Sequence, residues 1–152
     1  MKTIMESWRG FLWEAETVYS GILKAVPSPT ERAALLKLQG GIPEGVPIPA
    51  NALHVTLVHQ SVLKPYRDKI KALADEGSFP ELPPLVWSPS IESREDGNKR
   101  SHVVYLEDQA AFKRWVLDLM ELITGDRFDP EPNRRFHISL SNKTGKPGDS
   151  PK

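Results

Sequence analysis

The 152-residue chain contains no cysteine, no net charge and no long apolar run. Without cysteine there is neither a disulfide framework nor a thiolate metal site, which agrees with a reducing cytosol. Twenty basic and twenty acidic residues cancel, so the broad positive field of a protein that wraps long duplex nucleic acid is excluded. A small anionic ligand needs only a few local charges and stays within reach. The opening stretch MKTIMESWRGFLWEAE interrupts its apolar residues with Lys2, Glu6, Arg9, Glu14 and Glu16, which predicts no signal-peptide core and no membrane span. These features lead us to expect one cytoplasmic domain over 1–152, large enough to bury a core and keep a cleft.

At the N-terminus, Met5, Trp8 and Leu12 share one helical stripe that Phe11 and Trp13 widen, predicting a helix at about 4–15. That face either docks on the body or makes a homo-oligomer contact. The C-terminal residues, about 145–152, are polar and rich in Gly and Pro, the composition of a disordered tail.

Between the ends, one order of elements occurs twice. ETVYSGILKAV alternates as a strand, and a helix follows with Ser28 as N-cap, Pro29 as first helical residue, Glu31 as capping-box partner and Gly40 as terminator. After a proline-rich loop, ALHVTLVH reads as the next strand. In the second half, SHVVYLE is a strand, Asp108 a cap, and Phe112, Trp115, Val116, Leu119 and Ile123 trace an amphipathic helix ended by Gly125. A polar loop then leads into RRFHISLSN. A further helix, PYRDKIKALADEG, and a strand within PPLVWSPSIESRE lie between the two units, with a turn at Asp96-Gly97. Helices mixed with hairpins predict an α+β fold, preferably two lobes related by a pseudo-twofold.

Each of the two late strands carries a histidine and a hydroxyl two positions apart. Side chains alternate across a strand, so His54 and Thr56 share one face while Val55 and Leu57 take the other; His137 and Ser139 stand likewise opposite Ile138 and Leu140. If the pseudo-twofold brings these faces together, two imidazoles and two hydroxyls surround one point. Imidazole titrates near neutrality, so one histidine can accept a proton from an attacking oxygen while the other donates to a leaving oxygen. The hydroxyls can bond non-bridging phosphate oxygens as charge develops. Neither motif has a carboxylate nearby along its strand, so no metal and no cofactor is expected. By the same alternation His59 points away from His54, and His102 has no hydroxyl two positions on; both read as surface or structural. Arg134, Arg135 and Lys143 read as solvated charges.

At HVTL and HISL the chain resembles the two-histidine (2H) phosphoesterase superfamily, the LigT-like proteins defined by two His-x-Ser/Thr-x motifs. The resemblance spans roughly residues 17 to 142. It implies two small β-sheets with flanking helices around a central cleft, metal-independent phosphodiester chemistry, and catalytic roles for His54, Thr56, His137 and Ser139. The chain's size and its tail are similar to short phage-borne members, among which anti-CBASS enzymes destroy cyclic di- and trinucleotide immune signals. That likeness implies a small nucleotide partner, residence in the host cytoplasm, and base-stacking aromatics, for which Tyr19 and Trp87 are the positional matches. RNA-end or 2′,3′-cyclic phosphodiesterase, 2′-5′ oligoadenylate phosphodiesterase and a non-catalytic nucleotide-binding sponge are the alternatives.

Overall fold

The computed structural model describes residues 15–151, so the expected helix at about 4–15 lies outside them apart from its last residue. The described chain is α+β: an open antiparallel sheet of seven strands with helices packed on it. The strands are β1 (Glu16–Tyr19), β2 (Leu23–Val26), β3 (Val46–Pro47), β4 (Val55–Val58), β5 (Glu92–Asp96), β6 (Lys99–Tyr105) and β7 (His137–Asn142). The main helices are α1 (Pro29–Gln39), α2 (Arg67–Glu76) and α3 (Gln109–Thr124). None is long and apolar enough to cross a membrane.

The sheet order is β1-β2-β4-β7-β6-β5, with β3 paired to β7. Exchanging β1 with β5, β2 with β6 and β4 with β7 returns the same order, so the repeat read in the sequence is also a repeat of topology. It extends to irregularities. The β2–β4 ladder slips at Leu57, which lies between the paired Thr56 and Val58, and the β6–β7 ladder slips at Leu140, between Ser139 and Ser141. Each bulge therefore follows the motif hydroxyl by one residue.

Two expectations change at this level. The strands form one hydrogen-bonded sheet rather than two, because β4 and β7 lie side by side and pair at Val55↔Ile138. Joining them meets backbone hydrogen bonds that two inner sheet edges would leave open. ETVYSGILKAV is a hairpin, not one strand: Gly21 adopts φ 91°, a left-handed value glycine takes without strain, and reverses the chain between β1 and β2.

Helix punctuation follows the sequence. Ser28 Oγ accepts from Glu31 N–H at 3.2 Å while Glu31 Oε1 accepts from Ser28 N–H at 2.9 Å, completing the capping box. Asp108 caps α3 through Ala111 N–H at 3.0 Å, and Gly125 ends it at φ 84°. The β5–β6 turn has positive φ only at Gly97, the sign pattern of a II′ hairpin. Buried behind the sheet, Val55, Leu57, Ile138 and Leu140 join Leu35, Phe112, Trp115 and Leu119 in one core.

The C-terminal segment, expected to be disordered, folds back as far as Pro151. Asn142 organises it: Oδ1 accepts from Thr144 N–H at 3.1 Å and Gly145 N–H at 2.5 Å, while Nδ2 donates to Lys146 O at 2.6 Å and Ser150 Oγ at 3.0 Å. The polar composition that argued for mobility instead supplies partners for one buried amide.

Candidate active site

The central strands β4 and β7 bring the two motifs to one face. Since Val55 pairs with Ile138 in an antiparallel ladder, the neighbouring positions put His54 beside Ser139 and Thr56 beside His137. All four line one cavity of about 360 Å³, with Lys24, His59 and Arg134 also on its wall. The apolar residues interleaved with them stay in the core.

Both imidazoles are held the same way. His54 Nδ1 donates to Ala52 O at 2.8 Å, and His137 Nδ1 donates to Arg135 O at 2.8 Å, in each case the carbonyl two residues earlier. A carbonyl can only accept, so the proton sits on Nδ1 and the neutral ring presents a bare Nε2. Arg94 Nη1 also lies 3.0 Å from His137 Nδ1. One ring nitrogen cannot donate to the carbonyl and accept from the guanidinium, and the matching contact at His54 favours the carbonyl. Arg94 then acts on His137 as a charge.

Electrostatics separate the pair. Burial is the main force lowering the His137 pKa, to about 4; the Arg135 carbonyl opposes it, and the charges of Arg94, Arg134 and His54 add to it. Burial also lowers the His54 pKa, again opposed by a carbonyl, Ala52, and aided by Lys24. His137 is therefore neutral at ordinary pH.

Glutamine amides fix both ends of the motif segment of β7. Gln109 accepts from Phe136 N–H at 2.7 Å and donates to Phe136 O at 2.8 Å and Leu106 O at 2.8 Å, immediately before His137. Gln39 donates to Leu140 O at 2.7 Å and Ile48 O at 2.8 Å, immediately after Ser139. Each glutamine sits on, or at the end of, the helix of its own repeat.

Lys24 pairs with Thr56 across β2 and β4, which delivers an ammonium to the motif face; its place on a central ladder was the signal missed in the sequence. His59 lines the same cavity despite its strand parity, because the chain leaves β4 at Val58 and turns into the short helix Gln60–Leu63. Its backbone N–H donates to Glu131 Oε1 at 2.9 Å. Arg134, read as a solvated charge, is only 8% exposed and pairs with Glu131 at 2.6 Å. Its buried Nε has no acceptor among the described residues. Arg135 instead stacks on Tyr105, its guanidinium carbon 3.6 Å from the ring centre. His102 contacts Ser141 Oγ at 3.2 Å, and Lys143 lines a separate small cavity.

Tyr19 and Trp87 are not brought to the histidine cavity. Both are half-buried and packed against the core, Tyr19 at the outer end of the sheet and Trp87 bridging Leu106. Burial of the apolar ring is the force that holds such residues there. The folded C-terminal segment fills part of the wall instead, through Pro147, Gly148, Ser150 and Pro151. Among the described residues no group of three or more His, Asp or Glu side chains could hold a metal ion.

Comparison with protein-family profiles, with curated proteins and with solved structures finds no match to this chain.

Proposed function

We propose that this chain is a phosphodiesterase of the two-histidine, LigT-like kind, working without a metal on small nucleotides, with cyclic di- and trinucleotide immune signals as the leading substrates. The observation that carries the reading is the convergence of His54, Thr56, His137 and Ser139 on one cavity from adjacent strands with matching bulges and matching carbonyl anchors. The repeated strand order is compatible with a pseudo-twofold, bilobal fold of that kind.

In this reading His137, neutral and with its bare Nε2 toward the cavity, removes the proton from the substrate's own 2′-hydroxyl as that oxygen attacks phosphorus. His54, neutral in the free protein, takes up a proton at Nε2 once the phosphodiester anion lies beside it and gives that proton to the departing 5′-oxygen. The P–O5′ bond breaks as the P–O2′ bond forms, leaving a 2′,3′-cyclic phosphate, a free 5′-hydroxyl, protonated His137 and neutral His54. Water then opens the cyclic phosphate with the proton transfers reversed, giving a 3′-phosphate and restoring both rings. Thr56 and Ser139 donate to the non-bridging oxygens, and Lys24 offsets their negative charge.

The test is turnover of cyclic oligonucleotides with EDTA present, set beside linear RNA ending in a 2′,3′-cyclic phosphate and 2′-5′ oligoadenylate. Faster turnover of either linear substrate moves the assignment to the RNA-end or oligoadenylate reading. Recovery of unchanged ligand after long incubation makes the chain a sponge.

A further inference from the structure

A second cavity of about 530 Å³ adjoins the histidine cleft, and His59 and Arg134 line both. Its wall carries three guanidiniums, Arg94, Arg134 and Arg135, with Asn133 beside them and, among the described residues, Glu131 as the only carboxylate. That carboxylate is already committed: it accepts from Arg134 Nη2 at 2.6 Å and from His59 N–H at 2.9 Å. Although its own burial would raise the Glu131 pKa, the Arg134 bond and then the His59 N–H outweigh it and the pKa is lowered, so the acid stays ionised and balances Arg134.

With Glu131 committed to Arg134, Arg135 adds a cation to this wall. Arg135 has no acidic partner within 4 Å among the described residues, and its guanidinium carbon lies 3.6 Å from the centre of the Tyr105 ring, a cation–π contact that helps to hold it. A planar guanidinium held by an aromatic ring on the wall of a concave surface suits bidentate contact with phosphate oxygens. The loop that builds this wall is itself anchored: Lys113 Nζ reaches Asp129 at 2.8 Å and Glu131 O at 2.6 Å.

We propose that this arginine-lined cavity is a second phosphate subsite, which takes a phosphate of the same substrate other than the scissile one. The proposal rests on the phosphodiesterase reading of the neighbouring cleft and sharpens its substrate class. A cyclic di- or trinucleotide carries such a phosphate; a lone 2′,3′-cyclic mononucleotide does not. The shared wall at His59 and Arg134 lets one ligand span both cavities, and the second phosphate then positions the first.

Binding of adenosine 3′-phosphate and adenosine 3′,5′-bisphosphate to the full chain by isothermal titration calorimetry tests this without any turnover. The bisphosphate is expected to bind at least about tenfold more tightly, with most of the gain lost in Arg135→Ala and part of it kept in Arg135→Lys. Equal affinity for the two ligands in the unaltered chain, or a gain indifferent to Arg135, overturns the subsite. The two readings fail separately: hydrolysis of diesters without this discrimination removes only the subsite, whereas discrimination without hydrolysis removes only the catalytic reading. Binding of neither ligand overturns the subsite, and an absence of diester hydrolysis beside it overturns the catalytic reading as well.

Discussion

The guanidinium of Arg94 lies 3.0 Å from Nδ1 of His137, across 43 residues of chain. A hairpin makes the meeting: Arg94 on β5 faces Ser101 on β6, and β6 runs beside β7 with Tyr105 opposite His137. This charge presses on the more strongly shifted histidine, while His54 faces Lys24 instead.

Replacing Arg94 with alanine should therefore raise the His137 pKa from about 4. Because the base must be neutral, the acidic limb of the kcat/KM profile should move upward by about one pH unit, and Arg94→Lys should move it less. An acidic limb unmoved in the alanine variant would separate Arg94 from His137. Ring ¹⁵N shifts near neutral pH should also show Nδ1 protonated and Nε2 bare in both motif histidines.

Stability should follow the same titration. An unfolded His137 takes up a proton near its ordinary pKa, 6.5, whereas the folded one resists until about 4. Between these values the unfolded state binds more protons, so stability is highest above 6.5 and falls as pH drops, by about 1.4 kcal/mol per unit and roughly 3 kcal/mol in all. Urea melts near pH 7 and pH 4.5 should show this fall, and His137→Asn should lose much of it while the carboxylate contribution stays. An identical pH response in the variant would contradict the burial of a neutral ring.

Gln109→Ala removes three hydrogen bonds around Phe136 and Leu106. The expected cost is about 2–3 kcal/mol in urea melts, since the buried Phe136 N–H loses its acceptor. Since His137 follows directly, kcat should fall by about tenfold or more while KM changes little. A loss of stability with unchanged kcat would restrict Gln109 to a structural role.

Asn142→Ala should release the residues from Thr144 to Pro151 that its amide gathers. Hydrogen exchange of the Gly145 and Thr144 amides should accelerate by about tenfold or more. Nucleotide KM should rise as the cavity loses the wall formed by Pro147 and Ser150. Unchanged exchange would mean that the segment is held by other contacts.

What was legible in the sequence is what local chemistry decides. Alternation put His54 with Thr56 and His137 with Ser139, and the Ser28–Glu31 and Asp108 caps named two helix starts. What escaped depends on pairing across distance. Strand parity told which face His59 should take only while the strand ran straight, and it ends at Val58. Lys24 owes its place to the β2–β4 register, and Arg94 to two successive antiparallel pairings. The union of two expected sheets into one rests on the contact of β4 with β7, which no local pattern announces. Tyr19 and Trp87 answer to a stacking role by position alone, and core packing claims both.

The central claim is that His54 and His137 act as a metal-independent acid–base pair on a phosphodiester. Cyclic dinucleotides, cyclic trinucleotides, 2′-5′ oligoadenylate and RNA with a 2′,3′-cyclic phosphate, incubated with EDTA and resolved by mass spectrometry, test it most directly. Cleavage of the cyclic substrates should continue in EDTA, pass through a 2′,3′-cyclic phosphate to a 3′-phosphate, and fall by at least about a hundredfold in His54→Ala and in His137→Ala. Cleavage of no diester in the panel, or turnover in both alanine variants equal to that of the unaltered chain, would contradict it.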